Sequence, residues 1–205
     1  MKPRTCRVLA GALIGLTWAS GFRAYMVELV GPESVFSWGA TFGAVLLPAT
    51  AVGAALGLAD DVRRNGGAPH WRWLAAAPAA MAIAPLLIPG NFALLLTTGM
   101  GAGAPWVVLT GVLGGYAISG RGRRVGRIAA GTVAAALAAG LVATVPVLGG
   151  ARVALTEPRG AWVAVLALTS VATLALACSI PFRAVMGRAE SADRSAQRGA
   201  LTDSI

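Results

Sequence analysis

Arg23 and Glu28 are the two residues whose chemistry most needs an explanation. Both lie in a run from Val8 to Val30 that is otherwise almost wholly apolar. Ionisable groups in such a setting are costly and often mark a substrate or ion path. On a helix, Arg23 lies about 24 Å along the axis from Arg7. In a hydrocarbon core about 30 Å thick, that puts Arg23 in the outer part and Glu28 near the outer edge. The two are five residues apart, so they point to different faces; an intrahelical pair needs a spacing of three or four. Two solutions stand open. Arg23 snorkels to the headgroups and Glu28 is solvated, or Arg23 faces a wet outer cavity and pairs with Glu28 of another helix, Glu33 or free carbonyls.

A second place with potential chemistry is the stretch "LLLTTGMGAGAPWVV", residues 94–108. Thr97, Thr98, Gly99, Gly101 and Gly103, followed by Pro105, interrupt an apolar segment at about 97–105. Irregular backbone at membrane depth is tolerated only where protein or water covers it, and broken helices build binding sites in transporters. The alternative is an ordinary outer loop. The glycines spell GxGxG, but no strand–helix unit surrounds them, so they form no nucleotide fingerprint.

The third place is the charged cluster Asp60, Asp61, Arg63 and Arg64. Carboxylates at a helix C-terminus are disfavoured, so these are expected to pair with the adjoining arginines or the next basic loop, as a solvated charge cluster. His70, the only histidine, sits in a polar loop and is expected to be exposed. Cys6 and Cys178 have no CxxC partner, and no disulfide is expected in a reducing compartment. HExxH, GxSxG and Walker A motifs are absent, as is any His/Cys/acid cluster spaced for a metal. Ser20, Ser119 and Ser170 have no base nearby within the apolar runs. The reading is therefore non-enzymatic, with no catalytic residues, no cofactor and no metal.

The elements that position these residues follow from composition. Of 205 residues, 57% are hydrophobic and 12% charged, against about 25% charged in soluble domains. The apolar residues come in long runs, which read as transmembrane helices. Six spans are predicted, at about 8–30, 36–59, 73–88, 104–119, 128–148 and 161–180, so that residues 1–182 form an all-α bundle. A polar tail, 183–205, is expected to be disordered and cytoplasmic. A β-barrel would need short alternating segments, which are missing. A cleaved signal peptide ending near "LTWA" is the competing reading of the N-terminus. The apolar run resumes at once, which favours an uncleaved helix.

Charge sets the orientation. Most of the arginines fall in 1–7, 60–72, 120–127 and 181–205. By the positive-inside rule those segments, and both termini, are cytoplasmic. Arg152 and Arg159 fall outside. The net charge of +9 therefore points to anionic lipid headgroups at the cytoplasmic face, not to nucleic acid. Trp38, Trp106 and Trp162 are expected near the outer headgroups and Trp71 and Trp73 near the inner ones, whereas Trp18 should face protein. The pairs Gly11/Gly15, Gly39/Gly43, Gly53/Gly57 and Gly111/Gly115 are each four apart. They permit close helix packing, within the chain or in a homo- or hetero-oligomer; in a chain rich in Gly and Ala they also arise by chance.

The stretches "GFRAYM" (21–26), "FSWGATF" (36–42) and "ALGLADDVRRNGGAPHWRWLAAAP" (55–78) resemble a pattern of uncharacterised multi-pass membrane proteins of high-GC Gram-positive bacteria. The likeness covers the first half; beyond that it is one of hydropathy. Its most specific parts are the arginine in the first span and the RRxGG…WRW loop. It implies a bacterial plasma membrane and no mechanism. Two functions are consistent with the whole reading. One is a membrane scaffold or partner subunit. The other is a small-solute permease or channel-like protein with an outer vestibule of Arg23 and the Gly-rich break, for which three plus three spans permit an inverted repeat.

Overall fold

A computed structural model describes residues 3–90, 92–93 and 103–186. Among them all regular structure is helical. Helix α1 is Pro3–Val30, α2 is Leu47–Arg64, α3 is the short Ala79–Ile83, α4 is Gly103–Ile118, α5 is Arg124–Gly149 and α6 is Pro158–Cys178. Four helical segments are long and apolar enough to cross a membrane: Pro3–Glu33, Trp38–Arg64, Arg124–Val153 and Pro158–Phe182. Trp71–Leu87 and Gly103–Ile118 are shorter apolar helices.

The proline pattern explains the irregular pieces. Before α2, Trp38–Leu46 winds as a π-helix. Pro48 offers no N–H to that turn, and Thr50 Oγ1 donates to the Leu46 carbonyl at 2.8 Å. In the third segment Pro78 and Pro85 divide the helix, so α3 is flanked by 3-10 turns at Trp71–Ala76 and Ala84–Leu87. The greater rise of a 3-10 helix gives 71–87 a contour of about 30 Å. The helix ends differ from the hydropathy boundaries by several residues, most at α1 and α2. α1 begins at Pro3 rather than Val8, and α2 runs past Ala59 to Arg64, because a helix goes on where its side chains become polar. α2 stops at Asn65, where Gly66 and Gly67 take φ of 88° and 83° and the Gly67 N–H donates to the Val62 carbonyl, a Schellman-type ending.

α1 and α2 pack antiparallel through their glycine pairs. A Cβ built on Gly11 would collide with the Gly53 carbonyl, one on Gly15 with that of Ala49, and one on Gly57 with that of Arg7. No side chain separates the two backbones there, so dispersion contact replaces the hydrophobic force that lipid removes. α4 lies against α5 and α6; Gly111 meets Leu174 and Gly115 meets Cys178. The Gly39/Gly43 pair has no such partner: a Cβ on Gly39 would meet nothing within 4 Å.

The core gathers Tyr25 and Leu29 of α1, Val52 and Leu56 of α2, Val107 of α4, Val145 of α5 and Val163 and Val171 of α6. Many large apolar side chains remain outside it. Leu13 is 64% exposed and Val147 78%, too much apolar surface for a water-facing protein and the ordinary condition of a lipid-facing one.

Candidate functional site

Two charged clusters lie at opposite ends of the bundle, with an apolar groove leading in from one of them.

At the first end, α1 closes with Gly31 at φ 77°, the left-handed position that ends many helices. A Cβ there would lie 2.8 Å from Arg152 Nη2. The space belongs to Arg152, whose Nη1 donates to the Glu28 carbonyl at 2.9 Å and whose Nη2 donates to the Leu29 carbonyl at 3.1 Å. A cation thus satisfies the open carbonyls and the negative end of α1. Glu28 turns its side chain to α6, where Oε2 accepts from Arg159 Nε at 2.8 Å. Arg23 takes another direction. Its Nη2 donates to the Val35 carbonyl at 2.7 Å, its Nη1 donates to Ser34 Oγ at 3.1 Å, and its guanidinium lies 4.4 Å from the Phe36 ring centroid. The five-residue spacing did send Arg23 and Glu28 to different faces. Arg23 is held by the connection between α1 and the π-helix. Glu33 is exposed in the 3-10 turn Gly31–Glu33 and makes no ion pair among the described residues.

Thr97, Thr98, Gly99 and Gly101 lie outside the described residues. Gly103 is described, and there the expected break is corrected at its C-terminal edge: Gly103, Ala104 and Pro105 form the first turn of α4. A proline is well placed in a first turn, because its missing N–H has no intrahelical partner in any case. Trp106 ties the first turn of α4 to the middle of α5. Its Nε1 donates to the Leu137 carbonyl of α5 at 2.9 Å, about 18 Å along the helix from Gly149.

At the other end the acidic pair divides. Asp60 accepts from Arg63 and Arg64 at 2.9 and 2.7 Å, as its spacing predicted. Asp61 instead is buried and accepts from Arg7 Nη1 of α1 at 2.5 Å. Arg63 is itself buried, and its Nε finds no partner among the described residues. Arg127 Nε donates to the Ala117 carbonyl at 2.9 Å, closing the C-terminus of α4 as Arg152 closes that of α1. Arg4, Arg7, Arg63, Arg64, Arg72, Arg121, Arg123, Arg124, Arg127 and Arg183 all belong to this end; Arg152 and Arg159 belong to the other.

Between the ends, the Trp18 Nε1 donates to the Ser170 carbonyl at 2.8 Å, so Trp18 faces protein as predicted. Below it runs a groove of about 250 Å³ between α1, α2 and α6, from Arg7 and Asp60 at the basic end to Trp18 at its head. Cys6 and Cys178 are both free thiols. Among the described residues no group of three or more His, Cys, Asp or Glu is placed to hold a metal.

The ties of Arg152, Arg159 and Arg7 were missed by the sequence reading. A faint signal existed for two of them: Arg152 and Arg159 are the cations of the 149–160 connection, on the side where the first run ends in Glu28.

The class that fold and site define is a membrane-embedded, all-helical protein with its cations gathered at one end. Comparison with protein-family models, curated proteins and solved structures finds no match to this chain.

Proposed function

We propose that this is a six-span plasma-membrane protein with both termini in the cytoplasm, acting without catalysis as a scaffold or partner subunit. The observation that carries this reading is the segregation of cations. Ten described arginines share the end built from the start of α1, the end of α2, the α4–α5 turn and the end of α6, whereas Arg23, Arg152 and Arg159 lie toward the other. That is the pattern of a basic face turned to the cytoplasm and its anionic lipids. The contour of about 30 Å along 71–87 is enough for a crossing. The polar side chains support a structural role too. Arg23, Glu28, Arg152 and Arg159 spend their hydrogen bonds joining segments of this chain.

Topology is tested with single cysteines in a Cys6→Ser/Cys178→Ala background. An impermeant maleimide added to intact cells should label a cysteine at position 157 and leave one at 122 unlabelled until the cells are opened. The reverse pattern rejects the orientation. Affinity purification from the native membrane should then yield a stoichiometric protein partner.

One observation keeps the permease reading in view. A shallow recess lined by Ser37, Gly39, Gly43, Ile88 and Pro89 opens beside the π-helix, on the side of the predicted vestibule. Arg23→Ala separates the two. Lost solute flux at unchanged abundance supports transport, and lost abundance supports the structural role.

A further inference from the structure

We infer that the groove between α1, α2 and α6 holds one acyl chain of an anionic phospholipid of the cytoplasmic leaflet, with the phosphate at Arg7. The inference rests on the membrane orientation proposed above and adds the ligand.

The shape comes from the glycine seam. Gly11, Gly15, Gly53 and Gly57 bring α1 and α2 backbone to backbone, and the same four glycines, with Ala10 and Ile14 beside them, line the furrow that runs along the seam. Leu174 and Ile180 of the α6 region form the facing wall. Trp18, fixed to the Ser170 carbonyl, closes the upper end. From Arg7 to Trp18 the furrow is about 16 Å long, the scale of a hydrocarbon chain lying along a helix. Its volume of about 250 Å³ falls below the roughly 300 Å³ at which sites for drug-sized molecules begin. A half-open furrow of that size suits a single hydrocarbon chain laid along it. Its walls are apolar, so the occupant must be apolar along most of its length.

The mouth fixes the head. Arg7 uses Nη1 for Asp61; among the described residues its other N–H groups have no hydrogen-bond partner, and its side chain is 33% exposed. The charged groups lining the furrow are Arg7 and Asp60; with their ion-pair partners Asp61, Arg63 and Arg64 they make three cations against two anions. Asp60 is held by two arginines, which leaves little net negative charge to repel a phosphate. A guanidinium beside an apolar furrow at the lipid boundary matches a phosphodiester attached to a hydrocarbon chain.

The test is native mass spectrometry of the full-length protein from mixed nanodiscs containing phosphatidylglycerol and phosphatidylcholine. The wild-type protein should keep one phospholipid and prefer phosphatidylglycerol by about fivefold, the discrimination one arginine at a headgroup supplies. Ala10→Phe, which fills the furrow, should lower retention by about tenfold, the loss of burial for some two methylenes. Ile14→Trp, at another exposed wall position, serves as a second block should Ala10→Phe not fold. Arg7→Gln/Asp61→Asn removes the ion pair without changing net charge; it should keep the lipid and lose the preference. Unchanged retention in a folded blocked variant overturns the inference, as does equal binding of the two lipids by the wild type. The labelling experiment on the same protein separates the two claims. An inverted topology with lipid still bound rejects the orientation alone, whereas the correct topology with an empty furrow rejects the ligand alone.

Discussion

Gly53→Ala tests the α1–α2 seam most directly. A Cβ on Gly53 would land on the Gly11 carbonyl oxygen, well inside the 3.0 Å below which something must shift. The obstacle is helical backbone, so no change of rotamer relieves it. Restoring an ordinary contact of 3.4 Å moves the helices apart by about 1 Å, which forfeits roughly a quarter to a half of each nearby dispersion contact of about 0.1–0.2 kcal/mol. Over about forty atom pairs, as many as one buried leucine makes, the loss is about 2 kcal/mol, within the usual cost of overpacking. Alanine also favours a helix over glycine by about 1 kcal/mol. Gly21→Ala supplies the control: it lies inside helix α1, and its added Cβ meets nothing within 4 Å. The two variants should therefore differ by about 2 kcal/mol, with Gly53→Ala the less stable. Reversible unfolding in mixed detergent–SDS micelles, followed by far-UV circular dichroism, measures the difference. A gap under about 0.5 kcal/mol, the size of an unremarkable surface change, refutes the packing argument.

Three further outcomes follow from the same contacts. Trp18→Phe keeps an aromatic ring but removes the added bond to the Ser170 carbonyl, and should cost about 1 kcal/mol in the same unfolding assay. Arg152→Gln removes the bonds to the Glu28 and Leu29 carbonyls; it should cost about 1 kcal/mol and speed amide hydrogen exchange in the last turn of α1 while leaving that of α2 unchanged. Asp61→Asn leaves the Arg7 guanidinium unneutralised and should destabilise by about 1–3 kcal/mol, and the double variant Arg7→Gln/Asp61→Asn should recover at least half of that loss in a double-mutant cycle.

Hydropathy located the helical segments because lipid demands long apolar runs with every backbone group satisfied within them. Hydropathy alone did not show that the third segment, which carries Pro78 and Pro85, would wind partly as 3-10 turns. The glycine pairs show where such reading stops. Gly11/Gly15 and Gly39/Gly43 have the same spacing, yet one pair meets a neighbouring backbone and Gly39 of the other meets open space. Spacing tells which face is small, and only tertiary structure tells what it faces. The partners of Arg23 were illegible for a related reason: Ser34 and the Val35 carbonyl sit in an irregular connection, and a backbone carbonyl has no sequence signature. Arg7 and Asp61 stand 54 positions apart, and several arginines nearer to Asp61 competed for the same reading. The Asp60 pairs with Arg63 and Arg64 were legible because helix spacing alone brings them together.

The attachment of α1 shows what so much polar chemistry does on an apolar helix. Leu9, Leu13, Ile14 and Leu16 of α1 are exposed, so this helix has no continuous apolar stripe buried against the bundle. In lipid such a stripe would confer little, since a leucine contacts hydrocarbon on either side. What holds α1 must therefore be interactions that lipid cannot supply. Arg7 to Asp61 fastens one end, the glycine seam and the Trp18 bond to Ser170 fasten the middle, and Arg152 and Arg159 fasten the other end to the α5–α6 connection and α6. Each is a close backbone approach, a charge pair or a hydrogen bond to a carbonyl. In this protein the intramembrane polar residues that suggested a transport path are also those that the bilayer as a solvent requires for assembly. Arg23 binds the next connection in the same manner, so a transport role for it needs solute flux as evidence, beyond its presence in an apolar helix.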